Sequence, residues 1–214
     1  MKKYGMIFDC DGTIIDTEEQ TIISIIHAIE KVHCPIPSHA QVKNLFGPGA
    51  DVILSKLIDD DKLASNAFEY FIDHQKTMVS KMPVYPGVRD LLDQLKSHDY
   101  PVGMVTGRHE RDLQIVLKAH QLEKYFDVIV PDNKLKNPKP DPEGILLAME
   151  KLELDRYSAF YVGDAKTDVE AAKSAGISAI AALWDARVDK EVMRLEKPFF
   201  MAQTPADILV MLNL

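Results

Sequence analysis

Two rhythms of apolar and polar positions run along this chain. Tyr4–Phe8 is a short apolar run stopped by Asp9, the pattern of a strand buried on both faces with polar groups at its carboxyl end. From Thr17 to Val32 the spacing changes: Ile22, Ile25, Ile26, Ile29 and Val32 return every three or four residues. That spacing predicts a helix, started by Asp16 or Thr17 as cap and ended by Cys34-Pro35-Ile36-Pro37. Ser38 to Met82 reads as helical throughout, interrupted by a turn at Gly47-Pro48-Gly49. Within it Phe68, Phe71, Ile72, Gln75, Met78, Val79 and Met82 mark the inner stripe of a helix bundle. Pro83 and Pro86-Gly87 close the segment.

Beyond Gly87 helix and strand patterns alternate. Helices are predicted over Arg89–His98, Glu110–His120, Glu143–Lys151, Val169–Ala175 and Pro205–Leu212, and strands over Val102–Val105, Val128–Val130, Ala159–Val162 and Ser178–Ala181. Strands separated by helices of this length imply an α/β fold, a parallel sheet covered on both faces. The predicted organisation is discontinuous. A core of residues 1–15 and 85–214 carries an inserted helical domain, residues 16–84, that leaves after the first strand.

Composition agrees with a globular enzyme: 46% of residues are hydrophobic and 27% charged, and 214 residues are enough for a full core. The net charge of −8, with no dense Lys/Arg run, argues against nucleic-acid binding and reads first as solubility. Two cysteines, Cys10 and Cys34, match neither a zinc motif nor a disulfide framework. No signal peptide and no transmembrane stretch is expected, and a reducing cytoplasm is the expected location.

In an open parallel sheet, ligands bind beyond the carboxyl ends of the strands. There the sequence places Asp9 and Asp11 after the first strand, Thr106-Gly107-Arg108 after the second, Asn137-Pro138-Lys139-Pro140-Asp141-Pro142 in a loop, and Gly163-Asp164 with Asp168 after a later strand. Three carboxylates with little basic compensation suit a hard divalent cation such as Mg²⁺. Asp9 and Asp164 are the natural side-chain ligands, and Asp168 either binds directly or orients a ligand from behind. Thr106 with its neighbour Gly107, and Lys139, are left to hold a phosphate. Asp9 is then the nucleophile toward phosphorus, and Asp11, two residues on, the general acid and then base. Gly12 allows the tight turn out of the strand.

Asp9-Cys10-Asp11-Gly12-Thr13 resembles the first signature of the haloacid dehalogenase-like hydrolases, and Thr106, Lys139 and Gly163-Asp164-Ala165-Lys166-Thr167-Asp168 are similar to the other three. The resemblance covers essentially the whole chain. Tyr85-Pro86-Gly87-Val88 and Lys139-Pro140-Asp141-Pro142-Glu143 resemble the phosphoglycolate phosphatase-like branch. It implies a Rossmann-like core with a helical cap, an aspartyl-phosphate intermediate, and the Asp11 backbone carbonyl as a further Mg²⁺ ligand. Asp11 favours phosphate chemistry over dehalogenation. Thr21 and Gly163 stand where sugar phosphomutases of the family tend to have His and Glu, so hydrolysis of a small phosphorylated metabolite is the leading expectation, a β-phosphoglucomutase-like mutase the second and a non-catalytic binding protein the third.

Some residues read two ways. An Asp-x-Asp-Gly is by itself usually a surface turn, and Lys139 taken alone a solvated loop lysine. Arg108 and Lys166 divide evenly between solvent and substrate. Asn44, Phe46, Gly47 and Pro48 resemble the substrate-specificity loop of the cap, and a plain interhelical turn explains them equally. The histidines show no metal spacing. Trp184 is expected to pack near the last strand, and strand alternation turns Cys10 away from the site as a core residue.

Overall fold

The computed structural model describes residues 4–214; residues 1–3, included in the predicted core segment, lie outside the described residues. β1 (Gly5–Phe8) leads through a turn into four helices, α1 (Glu18–Lys31), α2 (His39–Lys43), α3 (Ala50–Leu57) and α4 (Asp61–Met78). Then follow α5 (Val88–Ser97), β2 (Val102–Thr106), α6 (Glu110–Ala119), β3 (Val128–Pro131), α7 (Glu143–Lys151), β4 (Ala159–Gly163), α8 (Lys166–Ala175) and β5 (Ser178–Ala182). The chain ends in α9 (Lys190–Leu195), β6 (Phe200–Ala202) and α10 (Pro205–Leu212). The fold is α/β and Rossmann-like, as the alternation predicts.

All strand pairs are parallel, in the order β3-β2-β1-β4-β5-β6. β1 lies between β2 and β4, with Phe8 opposite Met104 on one side and Val162 on the other. The connections diverge from β1 to both sides, so a crevice opens at its carboxyl end. Alternation sorts the side chains. Met6 and Phe8 pack on one face with Leu91, Leu92 and Leu95 of α5, Leu117 of α6 and Ile208 of α10. Ile7 packs on the other with Ile145 of α7 and Val169 and Ala172 of α8. Cys10 is fully buried in the first of these clusters.

Helices α1–α4 bury a cluster of their own, centred on Ile25, Ile29, Leu54, Phe68 and Phe71. Their two connections to the sheet run side by side: Ile15 and Val84 form an antiparallel bridge, Asp16 N–H donates to Pro83 O at 2.9 Å, and Tyr85 N–H to Ile14 O at 3.0 Å.

The structure departs from the sequence pattern in two places. α8 starts at Lys166, which puts Asp168 in its first turn. A sixth strand, only three residues long, pairs with β5, so the strand preceding Trp184 is not the last. Three residues are too few for a period to show. Trp184 does pack on the core, and its indole N–H also donates to Thr13 O at 3.0 Å, tying down the turn after Asp11.

Candidate active site

The four polar segments meet at the carboxyl edge, around a cavity of about 480 Å³ lined by Asp9, Asp11, Gly107, Arg108, Lys139 and Asp164 on the sheet side and by the 46–50 turn on the helical side. Asp9 follows β1 and is buried. Asp9, Asp164 and Asp168 each present a carboxylate oxygen within 4.8 Å of the others. Gly12 makes this crowding possible: its φ is +75°, and a Cβ there would lie 2.2 Å from Asp164 Oδ2. Thr13 hydroxyl donates to Asp164 Oδ1 at 3.0 Å.

Lys139 provides the positive charge of the cluster. Its Nζ lies 2.6 Å from Asp168 Oδ1, 3.1 Å from the Tyr161 hydroxyl and 2.9 Å from Asp9 Oδ1. The last contact is off the hydrogen-bond direction, so Asp9 Oδ1 is buried with charge compensation and no hydrogen bond. Burial works against the lysine's charge, yet Asp168 and Asp9 outweigh it and hold its pKa well above the ordinary value. Asp168 is the anchor behind it. Its Oδ2 accepts from Ala165 N–H at 3.0 Å, closing the first turn of α8, while Oδ1 faces Lys139. Both of its oxygens are engaged in this way.

Burial raises the Asp9 carboxyl to about 7, with Lys139 opposing and Asp168 and Asp11 adding repulsion. Burial, then Asp168 and Asp9, push Asp164 in the same direction. A buried oxygen without a hydrogen bond and crowded carboxylates with raised pKa values fit a hard divalent cation, whose charge such a donor set lacks. Burial also pushes the Cys10 thiol up, which removes it as a nucleophile at neutral pH.

Thr106 ends β2, buried, and its hydroxyl accepts from Arg108 N–H at 3.2 Å. Gly107 faces the cavity and the opposite turn. A Cβ there would stand 2.2 Å from Gly47 O, so the cap-side turn rests on a surface that only glycine leaves open. The same turn touches the core at Gly49 N–H, 3.4 Å from Asp132 Oδ2. Farther out, Arg111 of α6 forms a two-bond pair with Glu69 of α4 at 2.6 and 2.7 Å.

Arg108 lies neither in solvent nor free for substrate. It is 5% exposed; Nε sits 2.8 and 3.0 Å from the two Asp11 oxygens, Nη1 bonds Asp112, and Nη2 donates to Thr21 Oγ1 at 3.1 Å. Burial alone would lower its pKa; Asp11 and Asp112 override that and raise it. Asp112, largely through burial, rises to about 6. Thr17, the N-cap of α1, gives its hydroxyl to Asp11 instead of to its own helix. The Arg108/Asp112 spacing of four residues was the available signal for this pair. Tyr161, whose hydroxyl donates to Val105 O at 2.8 Å, had none beyond strand alternation.

A second charged group sits at the connections. Arg187 binds Asp185 and Asp16 and donates to the Tyr85 hydroxyl at 3.1 Å. Burial opposes the Asp185 charge, but the bonds from Arg187 and Tyr85 bring its pKa to about 2. Lys166 is exposed, 3.4 Å from both Glu170 and Glu196.

The model of the haloacid dehalogenase-like hydrolases matches residues 6–182. Among curated proteins, pyrophosphatase PpaX of Bacillus anthracis is 29% identical over 216 residues, covering 100% of this chain and 98% of that protein. Among solved structures, a predicted phosphoglycolate phosphatase from Haemophilus somnus superposes with a TM-score of 0.84 at 23% identity, covering 99% of both chains. A hydrolase from Pseudomonas syringae gives 0.81 at 22% identity, covering 99% and 98%. At these identities the two structures speak for the fold alone.

Proposed function

From the premise that the chain belongs to the haloacid dehalogenase-like hydrolases and is a phosphatase among them, we propose that it hydrolyses a small phosphomonoester with Mg²⁺ through an aspartyl-phosphate on Asp9. Its motifs are phosphoglycolate phosphatase-like. The observation that carries the reading is the convergence of Asp9, Asp164, Asp168 and a lone lysine, Lys139, at the end of the central strand. The side chains of Asp9 and Asp164 and the Asp11 carbonyl would hold the metal. When bound, it supplies positive charge that offsets repulsion between these carboxylates and a phosphate.

Each residue then has a task. An Asp9 oxygen attacks phosphorus while Lys139 carries charge beside it. The bond from phosphorus to the leaving oxygen breaks, and Asp11 gives that oxygen a proton. Asp11 then takes a proton from water, which attacks the phosphorus and frees Asp9 with release of phosphate. Thr106 and Gly107 belong to the loop that receives the phosphoryl group. Asp168 acts through Lys139, holding it in line. Residues 16–84 are the cap over a core of residues 1–15 and 85–214, with the paired connections as hinge, and its closure excludes water from the cavity.

The proposed partner is a small phosphorylated metabolite, with neither nucleic acid nor membrane, and the proposed compartment is the cytoplasm. Both cysteines are free thiols, and among the described residues no helix is long and apolar enough to cross a membrane. The test is Mg²⁺-dependent hydrolysis of an aryl phosphate by the purified protein, abolished in Asp9→Asn. Full activity in that variant overturns the mechanism. Conversion of a hexose 1-phosphate to its 6-phosphate without phosphate release replaces hydrolysis with the mutase reading.

A further inference from the structure

The cavity has two chemically different halves. At the sheet edge Lys139 faces Asp9, where the phosphoryl group belongs. The other half must take the leaving alcohol. From the helical side it is lined by Thr17, Glu18, Thr21, Phe46, Pro48 and Ile53. This set holds one carboxylate, two hydroxyls and three apolar groups, and no cation.

Two arginines border this half from the core, and neither is available. The three nitrogens of Arg108 all have partners, and two carboxylates, Asp11 and Asp112, match its single charge. Arg187 is bound by Asp185 and Asp16, with Glu18 a further 3.9 Å away. Lys166, at the rim, faces Glu170 and Glu196. Each arginine is outnumbered by carboxylates, and Lys166 belongs to an exposed group of two lysines and two carboxylates, sharing Glu196 with Lys173. Freeing either arginine for a substrate anion would strand buried or half-buried negative charge. Glu18 is itself held by Lys43, 2.7 Å away and outside the cavity lining. A second anionic group on the substrate would therefore lose its hydration and meet cations already committed to Glu18, Asp185, Asp16, Asp11 and Asp112, five carboxylates against the three cations Lys43, Arg187 and Arg108.

We infer that the substrate is a phosphomonoester whose leaving alcohol carries no anionic group of its own. Phe46, Pro48 and Ile53 cover its carbon skeleton, and the cavity, about 480 Å³, admits a leaving group of sugar or nucleoside size. The inference rests on the phosphatase reading and narrows it. It sets this chain apart from a relative named for pyrophosphate, whose leaving group is itself an anion.

The test compares matched pairs with the Mg²⁺-loaded full chain: glycerol 3-phosphate against 3-phosphoglycerate, and glucose 6-phosphate against glucose 1,6-bisphosphate, with pyrophosphate alongside. The expected kcat/KM is at least about tenfold higher for the member without the second anion, and pyrophosphate is the poorest. Equal or better turnover of the anionic members, or pyrophosphate above both neutral esters, overturns the inference while leaving the phosphatase reading intact. Hydrolysis of none of the five removes the phosphatase reading and the inference with it. Glu18→Gln takes away the one carboxylate lining the helical side and releases Lys43 from it, and the preference should narrow by about threefold or more. An unchanged preference in that variant overturns the charge argument.

Discussion

Gly107→Ala isolates the contact between the two halves of the molecule. The added methyl carbon would lie 2.2 Å from Gly47 O and 3.4 Å from the carbonyl carbon behind it. Carbon and oxygen settle about 1 Å farther apart than 2.2 Å, and both neighbours are backbone, so no side chain can rotate away. The turn carrying Phe46 and Pro48 must retreat by roughly that distance. The φ of Gly107 lies outside the left-handed region, so the substitution brings no backbone strain of its own. A misplacement of about 1 Å over reacting groups costs about 10²-fold in rate, or about 2.7 kcal/mol in the barrier. The assay is steady-state hydrolysis of an aryl phosphate together with a thermal melt. The expected result is a loss of roughly 10- to 100-fold in kcat/KM with a Tm within about 2 °C of the parent, because the sheet clusters are untouched. Wild-type kcat/KM in a folded Gly107→Ala protein would refute the reasoning, since the closed contact would then be irrelevant to turnover.

Three further outcomes follow from the carboxylate cluster. Asp9→Asn should abolish hydrolysis yet stabilise the metal-free protein at pH 8; a rise of about 3 units from 3.8 to about 7 sets an upper limit of roughly 4 kcal/mol, read as a higher Tm. In a chelator, stability should fall as pH climbs from about 4 to about 7: the native state keeps the Asp9 proton that the unfolded chain has already released, so it binds more protons in that window. Denaturant titrations at several pH values check this, and a slope unchanged in Asp9→Asn would refute it. Lys139→Met should cost about 3–5 kcal/mol near pH 8 and lower Tm by about 10 °C, because Asp9 and Asp168 lose their shared cation in a buried site; a melt unchanged from the parent would show that the pair contributes nothing.

Much of this molecule is local information. The run Tyr4–Phe8 reads as a buried strand because every side chain in a central parallel strand meets apolar neighbours, and Met6, Ile7 and Phe8 are indeed fully buried. The positions of Asp9, Asp11, Thr106 and Asp164 were legible because strand ends are marked by where apolar runs stop, and a parallel sheet gathers those ends on one edge; Lys139 lies in a loop well past β3 and was singled out by the family resemblance. What neighbours each group has was not legible. Arg108 read as either solvent or substrate, and only packing shows it held between Asp11, Asp112 and Thr21, which lie 97, 4 and 87 residues away in the chain. The contacts of Asp168 were likewise hidden: α8 begins at Lys166, which turns one of its oxygens to Ala165 and the other to Lys139. The charge of the leaving-group half belongs to the same class. Its character depends on which carboxylate reaches which arginine, and that is set by distances across the fold, whereas strand and helix periods are set between neighbours along the chain.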